Sequence, residues 1–311
     1  MTVSLIIPTW NGGRWMDKVL TMLARQTLAP DKIFIVDSGS MDETLAIVRQ
    51  HQAANPRLCL LEIRQEDFDH GGTRTWAARQ TAGEIIIYMT QDAVPAADDA
   101  LELLIKPFQH DEKLAATYGR QLPAPDATFF SAHLRHFNYP AQSQLRRRED
   151  AAIFGFKTIF ISNSFAAWRR EPLAQQNFFP ERLLFGEDTL AVAKLLATGY
   201  HVQYVSEATV FHSHNYSLQQ DVKRYFDIGV FHAQQQEQLM QFGGPGGAGR
   251  NYVLSELRLL LKQRHYQLLP EWFCRNLGKY AAYKLGRQHQ LLPRSWARKL
   301  SMNPGWQGWN V

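Results

Sequence analysis

The sequence predicts an α/β fold, a mainly parallel sheet covered by helices, with a helical C-terminal segment. Three observations carry this reading. Short apolar runs alternate with helix-length segments through the first half of the 311 residues. Two of those runs end in or just before an aspartate, Asp37 and Asp92. A glycine-rich break, Gly243-Gly244-Pro245-Gly246-Gly247-Ala248-Gly249, then separates this body from a basic, aromatic end.

In chain order, strands are expected over residues 3–8, 32–37 (KIFIVD), 58–63 and 84–90 (EIIIYMT). Helical patterns fall between them at 14–25, 42–52 and 73–81. Strands spaced by helices of this length favour parallel pairing, and ligands then belong at the carboxyl ends of the strands. The second half is less regular. Residues 123–126 form a turn, and 129–150 read as a helix ending in Arg146-Arg147-Arg148. A helix over 187–198 stops at Gly199, a strand covers 201–205, and an amphipathic helix covers 218–236. The predicted organisation is a domain over 1–242 followed by a linker and basic helical region over 243–311.

The net charge of +5 is unevenly spread. Residues 250–311 carry eleven Lys/Arg and two Asp/Glu, so the tail is basic and the body is slightly acidic. Such a tail, with Trp272, Trp296, Trp306 and Trp309, suits an anionic membrane surface; packing on the core is the alternative. No apolar run reaches the roughly 18–20 residues that span a bilayer. The opening run has no basic segment and no leader-like apolar stretch, so a signal peptide is not expected. Cys59 and Cys274 stand in no metal-ligand spacing and are expected as reduced packing residues of a cytosolic protein. No nucleic-acid motif is present and the body is not basic, which excludes nucleic acid as a partner.

Several clusters could carry chemistry. Pro8-Thr9-Trp10-Asn11-Gly12-Gly13 is neither a dinucleotide fingerprint nor a P-loop, and it could be a simple connecting turn. Asp37 opens Asp37-Ser38-Gly39-Ser40-Met41-Asp42, where Ser40 or Asp42 could cap the next helix. Capping does not explain Asp37, whose carboxylate could accept an N–H from a pyrimidine base. Gly71-Gly72 before a helix allow close approach of a ligand, and that helix N-terminus with Arg74 favours an anion. Asp92, in Thr90-Gln91-Asp92-Ala93, could hold a divalent cation or form an ordinary Asx turn. Glu187-Asp188 could merely complement a helix dipole, or one carboxylate could act as general base. His212 and His214 lie on one face of an extended segment and could complete a metal shell.

As a set, over roughly residues 3–235, these motifs resemble the family 2 glycosyltransferases of the GT-A, Rossmann-like fold. Asp69-His70-Gly71-Gly72-Thr73-Arg74, Thr90-Gln91-Asp92-Ala93 and residues 224–232 are similar to segments of bacterial O-antigen rhamnosyltransferases. The resemblance implies an inverting transfer of rhamnose from dTDP-β-L-rhamnose to a lipid-linked oligosaccharide. It implies Asp188, with Glu187 beside it, as base. Pro8, Thr9, Asn11, Asp37, Ser38, Gly39 and Asp42 would bind the donor, together with Gly71, Gly72, Arg74, Thr90 and Gln91. Asp92, His212 and His214 would hold Mg²⁺ or Mn²⁺. The usual Asp-x-Asp reads Thr90-Gln91-Asp92 and keeps only its last carboxylate. Such an enzyme would be cytoplasmic, peripheral on the inner face of the membrane. The rival readings are a same-fold transferase for a UDP-hexose and a catalytically silent glycan-binding subunit.

Overall fold

A computed structural model describes residues 1–243 and 246–310, with the side chains of 246–248 and 310 left aside. Gly244, Pro245 and Val311 lie outside the described residues, and with them part of the glycine-rich break. The strands are β1 (Val3–Thr9), β2 (Lys32–Asp37), β3 (Leu58–Glu62), β4 (Ile85–Met89), β5 (Val94–Pro95), β6 (Leu114–Leu122), β7 (Gln144–Arg146), β8 (Phe165–Arg169) and β9 (His201–Phe211). The body's helices are α1 (Gly13–Ala24), α2 (Thr44–Ala54), α3 (His70–Arg79), α4 (Ala100–Ile105), α5 (Phe129–Asn138), α6 (Ala151–Phe154), α7 (Arg170–Gln175), α8 (Glu187–Ala197), α9 (Leu218–Gln234) and α10 (Gln236–Met240). The tail adds α11 (Gly246–Lys262), α12 (Leu269–Arg287) and α13 (Arg294–Leu300).

All nine strands join one sheet in the order β3-β2-β1-β4-β8-β6-β9-β5, with β7 also paired to β9. β1 to β4 are parallel, whereas β8 runs antiparallel to both β4 and β6. Side chains alternate across the sheet. Ile6 joins Ile86, Trp168 and Leu190 on one face, while Leu5 and Ile7 join Met16, Val19 and Leu101 on the other. Both faces are thus covered, which is why β1 reads as a nearly unbroken apolar run.

The helix expected over 129–150 ends at Asn138. Pro140 cannot continue it, because proline lacks the N–H and clashes with the preceding turn. The chain extends instead into β7, and Arg146 is buried over the Tyr118 ring, donating to the Phe160 carbonyl at 3.1 Å. Of the basic run, Arg146 is thus an interior residue, while Arg147 and Arg148 stay at the surface. β6 and β8 were not expected, since their Ala- and Gly-containing runs LAATYGRQL and FAAWR lack a strong strand signature. β9 extends six residues past the expected end at Val205 and so delivers His212 directly from a strand. Cys59 is partly buried, but Cys274 is exposed on α12 and does not pack.

The tail lies against α9. A Cβ on Gly286 would stand 2.0 Å from the Phe226 carbonyl oxygen, and one on Gly229 would stand 2.3 Å from that of Tyr283. Each helix therefore meets the other's backbone where no side chain intervenes. Beside this crossing Arg275 pairs with Asp221, and Lys279 Nζ lies 3.5 Å from the same carboxylate. Glu256 of α11 is fully buried and accepts from Tyr252 (2.6 Å) and Asn276 (3.0 Å). Trp306 and Trp309, expected at a membrane interface, are buried with Leu184, Phe226, Val230 and Ala282. Trp296 alone of the four tail tryptophans is exposed.

Gly286→Ala is expected to destabilise the protein by about 1–3 kcal/mol through overpacking, although alanine is the better helix former. Gly249→Ala, where a Cβ meets nothing within 4 Å, should be neutral or stabilising. Thermal or denaturant unfolding of both variants measures this.

Candidate active site

The carboxyl ends of β1, β2 and β4 converge, and the loops that leave them are tied together by side chains. Asn11 holds φ +46°, its Oδ1 accepts from Met41 N at 2.8 Å, and its own N–H donates to Ser40 Oγ at 2.7 Å. Asp42 accepts from Gly13 N at 3.0 Å and Thr44 N at 3.1 Å. Gln91 accepts from Thr9 Oγ1 (2.6 Å) and Trp10 N (2.8 Å) and donates to the Trp10 carbonyl (3.1 Å). Asp37 is buried; its Oδ1 accepts from Gly39 N and Ser40 N at 3.0 and 2.9 Å, and its Oδ2 from Ser40 Oγ. A carboxylate offers about four acceptor positions, so these three bonds leave one unfilled. Pro8 and Ser38 sit at the same strand ends, with Ser38 N bonded to the Thr9 carbonyl at 2.9 Å.

Asp92 follows β4 and faces the end of β9. Its Oδ1 is 3.3 Å from His212 Nε2 and its Oδ2 3.7 Å from His214 Nδ1. Ligand atoms of the three residues lie within 4.8 Å of one another. The tautomer of His212 follows from its neighbours. Arg135, which can only donate, bonds Gln121 Oε1, so that oxygen must be an acceptor. His212 Nδ1, 2.9 Å from the same oxygen, therefore carries a proton, and this bond fixes the ring with Nε2 towards Asp92. Burial and the neighbouring His212 push the His214 pKa down to about 4, so it is neutral at pH 7, the form that ligates. Burial opposes ionisation of Asp92, but both histidines outweigh it and hold the carboxyl well below its usual range. One carboxylate and two imidazoles, with a neighbour that orients one ring, fit a divalent transition-metal ion.

The acid pair begins α8. Glu187 is buried and ion-paired with buried Arg74 of α3 at 3.1 Å. Asp188 accepts from Asn163 N at 3.1 Å on Oδ2 and from Thr189 N at 2.7 Å on Oδ1. Burial and the charge of Glu187 raise its pKa to about 7.

Three of the expected donor contacts have partners within the chain itself. Arg74, expected at an anion, pairs with Glu187 and donates to the His70 carbonyl, 2.9 Å away. Gly71 is small for a different neighbour, because a Cβ there would fall 1.9 Å from the Pro180 carbonyl of the chain itself. The N-terminus of α3 is filled by Asp69, which accepts from Gly72 N at 2.6 Å and from Arg182 N at 3.1 Å. Asn163 and Gln121, which support the base candidate and the metal cluster, were missed. Both are lone polar residues in unremarkable segments, and no sequence motif marks them.

The model of the glycosyl transferase family 2 matches residues 4–176. The chain belongs to that family. As a family 2 glycosyltransferase it is an enzyme of GT-A-type architecture, as its sheet and flanking helices show. It is 41% identical over 311 residues, all of this chain and 96% of the relative, to the O-antigen chain rhamnosyltransferase RfbN of Salmonella typhimurium. It is 38% identical to WbaN of Salmonella anatum, also an O-antigen chain rhamnosyltransferase, over 99% of this chain and 95% of that one. Its fold is similar to that of the mannosyltransferase PcManGT from Pyrobaculum calidifontis, solved with GDP-Man and Mn²⁺, with a TM-score of 0.61, 17% identity, and 93% and 86% of the two chains covered. It is likewise similar to Staphylococcus aureus TarS 1–349, solved with UDP-GlcNAc, at a TM-score of 0.57 and 17% identity over 97% of this chain and 84% of that one.

Gln121→Ala should lower the affinity for Mn²⁺ about 10- to 100-fold, since the His212 ring loses the acceptor that fixes its orientation. Electron paramagnetic resonance of free Mn²⁺, titrated with nucleoside diphosphate present, measures the change.

Proposed function

We propose that this enzyme moves L-rhamnose from dTDP-β-L-rhamnose to a lipid-linked glycan, with inversion to an α-L-rhamnoside. The observation that carries the donor is similarity along the whole chain to two O-antigen chain rhamnosyltransferases. The chemistry is supported by Asp188, a carboxylate held by two backbone N–H groups and poised near neutrality. In a single in-line displacement the acceptor oxygen bonds to the anomeric carbon as that carbon's bond to the diphosphate oxygen breaks. Asp188 takes the hydroxyl proton, dTDP leaves with the bonding electrons, and no covalent enzyme intermediate forms. Asp92, His212 and His214 would hold a divalent cation, which would supply charge neutralisation at the diphosphate. Two imidazoles in that set favour Mn²⁺ over Mg²⁺.

Donor contacts follow the same reading. The remaining acceptor position of Asp37 would take the base N–H, with Ser38 and Gly39 along the nucleoside. Pro8, Thr9, Asn11, Asp42, Thr90 and Gln91 build the loops around it. With Arg74 committed, Arg224 of α9 is the guanidinium suited to the diphosphate. It lies 4.6 Å over the Phe185 ring, has no carboxylate partner among the described residues, and its charge is felt by both His70 and His214.

A lipid-linked acceptor places the enzyme against the inner face of the cytoplasmic membrane. No described helix is long and apolar enough to cross a membrane. The outer face of α12 instead exposes Phe273, Leu277 and Tyr280 at 59%, 56% and 62%, a spacing that puts them in one stripe. Trp296 and Leu291 are exposed further along, near Arg294 and Lys299 in sequence.

With Mn²⁺ and a panel of dTDP-rhamnose, UDP-glucose, UDP-galactose and GDP-mannose, nucleotide release should be fastest from dTDP-rhamnose. Asp188→Asn should lower turnover about 10²- to 10⁴-fold with little change in donor KM. Faster release from another donor overturns the donor; near-normal turnover of Asp188→Asn overturns the base.

Vesicles of anionic lipid should bind the protein at low salt and release it as ionic strength rises, because such attraction is screened within about 8 Å at physiological salt. Replacing Phe273 and Leu277 together by serine should weaken sedimentation with vesicles and spare transfer to a short soluble acceptor.

A further inference from the structure

The loop before β8 carries a residue with three of its polar groups directed at the acid pair or at a buried tryptophan. Asn163 is 2% exposed. Its backbone N–H donates to Asp188 Oδ2 at 3.1 Å, its Nδ2 donates to Glu187 Oε1 at 3.4 Å, and its Oδ1 accepts from Trp168 Nε1 at 2.9 Å. The orientation of the amide is fixed by chemistry. An indole nitrogen only donates, so the oxygen of Asn163 must face Trp168 and the NH₂ must face Glu187. Trp168 is itself fully buried in β8, which is hydrogen-bonded between β4 and β6. It is a rigid post.

We propose that Asn163, locked by Trp168, is a positioning residue that holds the Asp188 carboxylate in register for the acceptor hydroxyl. This rests on the reading of Asp188 as base. The lever has two arms: the indole fixes the side chain, and the fixed side chain aims the backbone N–H. Glu187 is the second contact, and it is kept ionised by Arg74 opposite. The groups around Asp188 are Glu187 beside it, Arg74 of α3, and Tyr139 just after α5.

A hydrogen bond to a carboxylate favours its charged form, so misdirecting the Asn163 N–H raises the proton affinity of Asp188. The experiment is the pH dependence of kcat for Asn163→Ala and Trp168→Phe. Both should move the acid limb upward from about 7, lower kcat about tenfold or more, and leave donor KM within about twofold. Trp168→Phe keeps an aromatic ring in place and touches no substrate, so a shift there is transmitted through Asn163. Glu187→Gln, by contrast, removes a like charge and should move the limb down. Folding of each variant is checked by its melting temperature. If Asp188→Asn is inactive and the limb stays unmoved in both folded variants, the positioning role is overturned alone. If Asp188→Asn turns over normally, the base assignment falls and the positioning role with it.

Discussion

A buried guanidinium and a buried carboxylate 3.1 Å apart organise this site. Arg74 belongs to the first turns of α3 and Glu187 to the first residue of α8, helices far apart in sequence. Replacing such a pair by apolar residues is often neutral, but removing one partner costs about 3–5 kcal/mol because the other charge stays buried and unpaired. Its consequence is therefore geometric. The pair brings α8 to the site with Asp188 one residue beyond the anchored carboxylate. Asp69, capping α3 and accepting from Arg182, ties the loop before α8 to the same helix.

The second half of the site depends on how far β9 runs. It pairs with β6 out to Phe211 through an irregularity near Gly119 and Arg120, and then releases His212 beside Gln121. The cluster of Asp92, His212 and His214 thus joins two parts of the sheet that the first strands alone would not bring together. Asp92 comes from the parallel half and the two histidines from the end of the mixed half. A short Thr-Gln-Asp turn carrying one acid is met by two imidazoles from across the sheet.

The parallel half was legible because β1, β2 and β4 are long apolar runs bounded by helix-length segments, so each declares itself locally. Asp37, Asp92 and Asp188 were legible because acids at the ends of apolar runs or before a helix are conspicuous. β6 and β8 were not, since their small and polar residues are buried by neighbours that no local pattern announces. The true partner of Arg74 was hidden for the same reason: a guanidinium after two glycines suggests an anion, and only the fold shows that the anion is Glu187. The tail tryptophans divide along this line too. Trp306 and Trp309 fill a cluster with α9, a choice set by tertiary packing rather than by residue type.

The crossing of α9 and α12 at Gly229 and Gly286 leaves no slack between them. Helices in contact through backbone atoms cannot slide past one another without separating, so α12 is a fixed strut. α9 in turn touches the loop before the acid pair, where Phe231 packs on Phe185 at 4.9 Å. Any surface that meets the outer stripe of α12 therefore meets the whole enzyme at a single tilt and height. If that surface is the one that carries the acceptor, as proposed, the frame of α9 and α12 acts as a gauge that sets how far the acceptor must reach.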